Sequence, residues 1–314
     1  MQTKNRWQSP LRWALIILLT TLLVSCSRVR LAYGFLDNWL RWQTANYVTL
    51  DSQQQQQLTR LTKEFQRWHQ AHELNDYAHL LDATVTTFAG ETISTEDLTA
   101  AFSEIGQLWQ RTEARLIPIA EAILATLSQE QIDQIVTQLQ KESGDFQEEY
   151  VALSSDEIPR KRAEETLENL ESVLGKLTPA QVDTVEQWAR GQASLAVLTL
   201  QQQRIWQYQF EQALRTDLSE HDNLRRAARL IFAQPEYLSR EHERLTTNNR
   251  QAWREMIVTI HGSLTEAQKK RLLGRLAGYA SDFRYLAGRA EQASAISRIE
   301  TTAPKTPLAR AAAE

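Results

Sequence analysis

The sequence predicts an all-α protein, built as an elongated multi-helix bundle. Helix-breaking residues are scarce, with 10 glycines and 7 prolines in 314 residues, and strong helix formers are abundant. Apolar residues recur at intervals of three and four through most of the chain, which is the spacing of one helix face. A helix-start pattern also returns several times along the sequence. Together these observations favour helices throughout and predict no sheet.

Residues 1–25 have the pattern of a secretory leader. Lys4, Arg6 and Arg12 form a positively charged amino-terminal region, and an apolar run over 13–24 follows. That run is shorter than the roughly 20 apolar residues of a transmembrane helix, and small residues precede the expected cleavage point. The alternative is an uncleaved anchor followed by an incidental cysteine.

Leu23-Val24-Ser25-Cys26 resembles the bacterial lipobox, so the bundle is expected to follow a lipoprotein signal peptide. The resemblance implies cleavage before Cys26 and acylation of its thiol and new amino terminus. Cys26 is the only cysteine, which excludes an intramolecular disulfide. Several acyl chains, at about 0.8 kcal/mol per buried methylene, would hold the chain on a lipid bilayer. Ser27 is not acidic, which by the same resemblance implies sorting to the outer membrane, facing the periplasm.

Residues 26–49 continue from the cysteine without a flexible linker. Apolar residues recur here at helical spacing, namely Leu31, Phe35, Leu36, Trp39 and Leu40. The spacing predicts a short docking helix that folds back onto the rest of the protein. The folded domain would then lie close to the membrane.

A capping box recurs along the chain as an aliphatic residue, then Ser, Thr or Asp, then Gln or an acid three residues later. The first polar side chain accepts an amide hydrogen at a helix start, and the second accepts one in return. The strongest copies are Leu50-Asp51…Gln54, Leu127-Ser128…Gln131, Leu177-Thr178…Gln181 and Leu264-Thr265…Gln268. Weaker copies are Ile93-Ser94…Asp97, Leu153-Ser154…Glu157 and Leu218-Ser219…Asp222. Their irregular spacing predicts an array of helices rather than a short-period solenoid.

The periodicity between these starts predicts one all-helical domain over 50–292. The expected helices are 52–88, 95–127, 129–152, 157–175, 179–217, 220–233, 236–261 and 266–290. Pro118 is expected to kink the second of them. Residues 293–314 are rich in Ala, Ser, Thr and Pro and are expected to form a disordered tail.

Charge excludes one class of partner. The leader contains three basic residues and no acidic ones, so removing it changes the net charge from −4 to −7. Phosphate binding requires a basic face, and we therefore expect no nucleic acid partner. The patterns G-x-S-x-G, G-x-G-x-x-G and the P-loop are absent from the sequence, so no catalytic residues are predicted and the chain is not expected to be an enzyme.

One group of ionisable residues could bind a metal. His69, His72, Asp76 and His79 are spaced by three, four and three residues, which places them within an arc of about 80° on a continuous helix. Imidazoles and carboxylates are suitable ligands for zinc or copper. The alternative is that the histidines are solvated or hydrogen-bonded, since no complementary ligand motif occurs elsewhere. Apart from covalent lipid, no other cofactor is expected.

Two resemblances extend this reading. The residues of the first are Cys26-Ser27, Leu31, Tyr33, Trp39, Tyr47, Leu50-Asp51, Trp68-His69, Glu73-Leu74 and Tyr77. This pattern resembles an uncharacterised family of bacterial lipoproteins known only as a domain of unknown function. The resemblance would cover nearly the whole mature chain and implies an α-helical envelope lipoprotein, without supplying an activity.

The second resemblance is carried by residues 177–181 and 264–268, which read Leu-Thr-Pro-Ala-Gln and Leu-Thr-Glu-Ala-Gln. Both are similar to the LTxxQ motif of small helical periplasmic chaperones and stress sensors, although the present chain is much longer. Three hypotheses follow. The first is a non-enzymatic, lipid-anchored protein that binds or scaffolds an envelope protein. The others are a chaperone-like or envelope-stress role, and metal binding by the histidine stripe.

Overall fold

The structure is a computed structural model that describes residues 28–232 and 236–302. The predicted signal peptide and Cys26 lie outside the described residues. The described part contains twelve α-helices, one π-helical turn and no strand. The predicted all-α multi-helix fold is confirmed.

The helices are numbered here in chain order. The first six are α1 Arg28–Gly34, α2 Leu36–Ala45, α3 Ser52–His72, α4 Leu74–Ala89, α5 Thr95–Leu124 and α6 Gln129–Phe146. The π-helical turn Gln147–Val151 follows α6. The others are α7 Glu157–Leu174, α8 Pro179–Gly191, α9 Ala196–Arg215, α10 His221–Leu230, α11 Arg240–Gly262 and α12 Glu266–Thr302. Within the described part, no helix combines the length and apolar character needed to cross a bilayer.

Three hydrophobic clusters organise the packing. The first joins the start of α3, the end of α5, α6, the end of α9 and α10 around Ile132 and Leu214. The second joins α7, α8, α11 and the start of α12 around Val185. The third joins α1, α4 and α12 around Leu74. Helix α12 packs along α4 and also contacts α7, so it connects the second and third clusters.

Two predicted helices are broken in the structure. The predicted helix 52–88 is interrupted at Glu73, between α3 and α4, where the backbone has φ −107° and ψ −33°. The predicted helix 179–217 ends at Gly191 and resumes at Ala196. The guanidinium of Arg162 in α7 donates to carbonyl oxygens at this second break, including that of Gly191's neighbour Gln192 at 3.1 Å. A tertiary contact therefore satisfies backbone groups that a continuous helix would have paired.

Five of the seven predicted capping boxes form. The reciprocal hydrogen bonds are present at Asp51, Ser94, Ser128, Thr178 and Thr265. The box at Ser154 is displaced, because its partner Glu157 is itself the first residue of α7. The prediction of a capping box at Ser219 is wrong, because the Ser219 amide and hydroxyl donate hydrogen bonds to Asp217 in the preceding turn.

The predicted start of the tail, at residue 293, lies within a helix. Helix α12 continues to Thr302, because alanine, glutamate and arginine in this stretch are strong helix formers. Residues 303–314 lie outside the described residues.

Candidate functional site

The four strongest capping boxes meet in two pairs. In the first pair, Gln54 Nε2 donates to Gln131 Oε1 at 3.0 Å, and Gln131 Nε2 donates back to Gln54 Oε1 at 2.7 Å. In the second pair, Gln181 and Gln268 exchange the same two hydrogen bonds at 3.0 and 2.9 Å. Each box therefore caps its own helix and also joins that helix to a distant one.

The two pairs share a second contact. In every case the glutamine amide also donates to the carbonyl of the residue that directly precedes the partner box. These contacts run from Gln54 to Thr126 at 2.7 Å, Gln131 to Thr49 at 2.9 Å, Gln181 to Ser263 at 3.1 Å and Gln268 to Lys176 at 3.0 Å. Four equivalent positions in two equivalent pairs indicate that one joining motif is used twice in this chain. The motif links α3 to α6 and α8 to α12.

His69 is the centre of a buried polar cluster. Its side chain is 8% exposed, and both ring nitrogens are engaged by tyrosines. Nδ1 lies 3.0 Å from the Tyr33 hydroxyl of α1, and Nε2 lies 3.1 Å from the Tyr77 hydroxyl of α4. The Tyr33 hydroxyl donates to the Gln66 carbonyl at 3.3 Å, and the Tyr77 hydroxyl lies 3.2 Å from Thr112 Oγ1 of α5. The imidazole therefore connects four helices through hydrogen bonds.

Burial sets the ionisation of this cluster. It lowers the pKa of His69 to about 4, against a smaller opposing effect of the Glu73 carboxylate. Burial also raises the pKa values of the Tyr33 and Tyr77 hydroxyls above their ordinary value. The imidazole is therefore neutral near pH 7, with one nitrogen donating and the other accepting.

An ion pair lies beside the imidazole at the junction of α3 and α4. The Glu73 side chain is 3% exposed and accepts from Arg111 of α5, with the closest approach between Arg111 Nη2 and Oε2 at 2.9 Å. Arg111 also bonds the half-exposed Asp76 carboxylate. A buried carboxylate requires a partner of this kind, and Arg111 supplies it at the residue between α3 and α4.

The predicted histidine stripe is not assembled. His69 and His72 lie on α3, whereas Asp76 and His79 lie on α4 beyond the break. His69 is engaged by the two tyrosines, His72 is exposed and stacks on Trp68 with ring centroids 5.8 Å apart, and His79 is exposed. Within residues 28–232 and 236–302, no group of three or more His, Cys, Asp or Glu side chains is placed to hold a metal ion. The geometry gives the zinc or copper hypothesis no support.

The segment α1–α2 presents an apolar face to the outside. It forms two helices rather than one, with α2 packed against α3 and α1 against α12. The prediction that Leu31, Phe35 and Trp39 contact the domain is wrong, because these side chains are 63%, 56% and 51% exposed. Tyr33 and the 7% exposed Asp37 are turned inward instead.

A second exposed apolar group lies on α5. Phe102, Ile105 and Trp109 are 50%, 48% and 44% exposed, and their spacing of three and four places them on one helix face. Phe102 contacts Trp253 of α11 edge-on, with ring centroids 5.7 Å apart. This group lies on a different helix from the amino-terminal face.

Residues 46–244 match a family of unknown function, DUF6279. The match covers more than half of the chain. The chain belongs to this family. The predicted resemblance to a domain of unknown function is confirmed. No curated protein and no solved structure matches the chain.

The region that matches the family contains some of these features and leaves others out. It contains both glutamines of the first pair, and His69 with its partner Tyr77. It does not contain α1, α2 or α12, and so excludes Tyr33, the exposed amino-terminal face and Gln268. The family supplies no activity for any of them.

Proposed function

We propose that this protein is a lipid-anchored component of the bacterial cell envelope that binds or scaffolds another envelope protein and catalyses no reaction. The observation that carries the proposal is the continuity between the lipobox and the fold. Helix α1 begins at Arg28, two residues after Cys26. An acylated cysteine at that position joins directly to folded structure, with no linker between them.

The short segment between Cys26 and α1 limits how far the start of the domain lies from the bilayer. Two residues span at most about 7 Å when fully extended, so α1 starts at the membrane surface if Cys26 is acylated. A protein held so closely meets other proteins of the same membrane readily. We place it at the outer membrane, facing the periplasm, because Ser27 rather than an acidic residue follows the cysteine.

The chemistry of the buried groups supports binding over catalysis. The His69 cluster is buried, and both imidazole nitrogens and both tyrosine hydroxyls are hydrogen-bonded within the protein. A catalytic base must reach a substrate proton, and these groups face one another instead. The exposed apolar side chains of α5 supply a surface of the kind that protein partners bury.

Two measurements test the proposal. Alkyne-palmitate labelling in cells is expected to mark the wild-type protein and not the Cys26→Ala variant. A photo-crosslinking residue at Ile105 is expected to capture one discrete protein in the envelope, while the same residue at exposed Glu164 on α7 captures none. Absence of label from the wild type would refute the anchor. Identical crosslinking at the two positions would refute partner binding through α5.

The second candidate function is a chaperone-like or envelope-stress role. It is favoured by the way the two LTxxQ-like segments meet, since Gln181 and Gln268 join them directly. The expected result is that stoichiometric protein suppresses the aggregation of an unfolded client. Phe102→Ser combined with Ile105→Ser is expected to weaken that effect, because an unfolded client binds exposed apolar surface. No suppression by the wild type would eliminate this candidate.

A further inference from the structure

We propose that Leu31, Phe35, Trp39 and Trp42 form a membrane-docking face that inserts into the boundary between headgroups and acyl chains of the bilayer holding Cys26. The face gives the domain a fixed orientation at the membrane, which a lipid anchor alone does not provide. The inference rests on the proposed lipid anchor, and the experiment below separates the failure of one from the failure of the other.

The four side chains are exposed together. Their exposed fractions are 63%, 56%, 51% and 59% in chain order. Leu31 lies on α1 and Phe35 joins the two helices, while Trp39 and Trp42 lie three residues apart on one face of α2. Isolated exposed apolar side chains are normal on a soluble protein, but a contiguous group of this size marks an interaction surface.

The opposite side of the segment is fixed to the domain. The Gln66 side chain donates to the Tyr33 carbonyl at 2.6 Å, and Arg30 pairs with the 5% exposed Asp282 of α12 at 2.5 Å. The Tyr33 hydroxyl meets His69. Because these contacts connect α1 to both α3 and α12, the apolar face cannot turn inward without breaking them.

The anchor brings this face to the bilayer. Leu31 is five residues after Cys26, so their Cα atoms are at most about 18 Å apart. The remaining members of the face follow along helices that begin at that point. Any occupant other than lipid would have to displace the bilayer from a surface held beside it.

The residue types fit a lipid surface. Tryptophan and phenylalanine are the side chains that helices lying in the membrane interface bury there. Residues 28–47 carry three arginines and one acid, and that acid, Asp37, is buried near Arg41. Arg30 is paired with Asp282 and Arg41 with Asp37, so the aromatic side chains, rather than charge, carry the attraction of this face to the bilayer.

The test uses the full-length lipidated protein reconstituted into vesicles of phosphatidylethanolamine and phosphatidylglycerol, with and without brominated acyl chains. Brominated lipid is expected to quench the tryptophan emission of the wild type. The variant Trp39→Ala/Trp42→Ala is expected to lose at least about half of that quenching, because these side chains lie at the acyl boundary. The control variant Trp109→Ala removes a tryptophan of α5 that is 44% exposed, and it is expected to keep the quenching.

A second measurement does not depend on the double variant. Acylation consumes the only native thiol, so Leu31→Cys and Ile105→Cys each supply one site for a nitroxide label in the lipidated protein. The label at position 31 is expected to be more accessible to oxygen than to a water-soluble nickel complex, and the label at position 105 is expected to show the reverse.

The outcomes are distinct. Equal wild-type emission in the two vesicle types, or equal accessibility patterns at positions 31 and 105, would overturn the docking face while leaving the anchor intact. A dimer in sedimentation that is lost in Trp39→Ala/Trp42→Ala would also overturn it, in favour of a second copy of the chain. The intact mass of the same sample reports acylation of Cys26, so an unmodified cysteine would refute the anchor itself.

Discussion

Removing the Gln181 side chain tests whether the paired boxes join the helices. Gln181 is fully buried, at 0% exposed. Its Oε1 accepts from the Thr178 amide at 3.0 Å and from Gln268 Nε2 at 2.9 Å, and its Nε2 donates to Gln268 Oε1 at 3.0 Å and to the Ser263 carbonyl at 3.1 Å. The substitution Gln181→Ala removes all of these at once.

The magnitude follows from that set of hydrogen bonds. At a net value of about 1 kcal/mol each, their loss destabilises the region by about 4 kcal/mol. Ser94→Ala is the matched control, because it removes the cap of a box that has no glutamine partner, and it is expected to cost about 1 kcal/mol. The double variant Gln181→Ala/Gln268→Ala is expected to cost about 2 kcal/mol less than the sum of the single variants, because the two mutual hydrogen bonds are counted twice in that sum.

Native-state hydrogen exchange is the suitable assay, because the three hydrophobic clusters can open separately and a single unfolding transition is not assured. A loss of about 4 kcal/mol speeds exchange through the affected opening by roughly a thousandfold. We expect this change for the amide of Val185, which lies in α8 and is buried in the second cluster without bonding the Gln181 side chain. The amide of Ser128, which donates to Gln131 at 3.0 Å in the other pair, is expected to keep its protection. An effect of Gln181→Ala no larger than that of Ser94→Ala would refute the joining role.

Three further predictions concern the cluster at the α3–α4 junction. Because burial lowers the pKa of His69 to about 4 from about 6.5 in the unfolded chain, the unfolded state binds more protons between these values. The contribution of neutral His69 to the free energy of unfolding is therefore fully present above pH 6.5, and the free energy is expected to fall by up to about 3 kcal/mol as the pH drops to 4. Equilibrium denaturation across this range is expected to show a smaller pH dependence of the free energy of unfolding in His69→Phe. Arg111→Met is expected to lower the free energy of unfolding by about 2–3 kcal/mol in the same assay, because it leaves a buried carboxylate without a partner. The control Arg244→Met removes only an exposed ion pair and is expected to change the free energy of unfolding little. Equal effects of the two variants would contradict this prediction. Elemental analysis of purified protein is expected to give the same metal content with and without His72→Ala and His79→Ala, and a stoichiometric metal lost in either variant would contradict the geometry.

Local patterns in the sequence predicted the helical fold and most helix starts. A capping box depends only on residues three positions apart, so Thr178 with Gln181 and Ser128 with Gln131 could be recognised directly. Their pairing could not, because residues 77 and 87 positions apart come together. All four boxes have glutamine three residues after the capping residue, and this shared residue was the one sign in the sequence that the boxes are related.

The breaks were missed for the same reason. The break at Glu73 coincides with a contact to Arg111 on α5, and periodicity within one helix carries no information about that partner. Because the break was missed, the histidines were placed on one stripe. Tyr33 and Tyr77, which engage His69, follow no spacing rule that would have identified them.

The amino-terminal face shows the limit of apolar periodicity. The spacing of Leu31, Phe35 and Trp39 indicates helical structure but does not say which side of the helices the domain covers. In the structure the domain contacts the other side of the segment, through Tyr33 and Asp37. Trp42 belongs to the same exposed face and was not identified from the sequence.

We propose that an acylated Cys26 holds the helical domain directly at the membrane. The most direct measurement is the mass of the amino-terminal peptide of the protein extracted from cell membranes. We predict a peptide that begins at Cys26 and carries a diacylglyceryl thioether and an amide-linked acyl chain. A peptide that retains the leader, or one with an unmodified cysteine, would contradict the account.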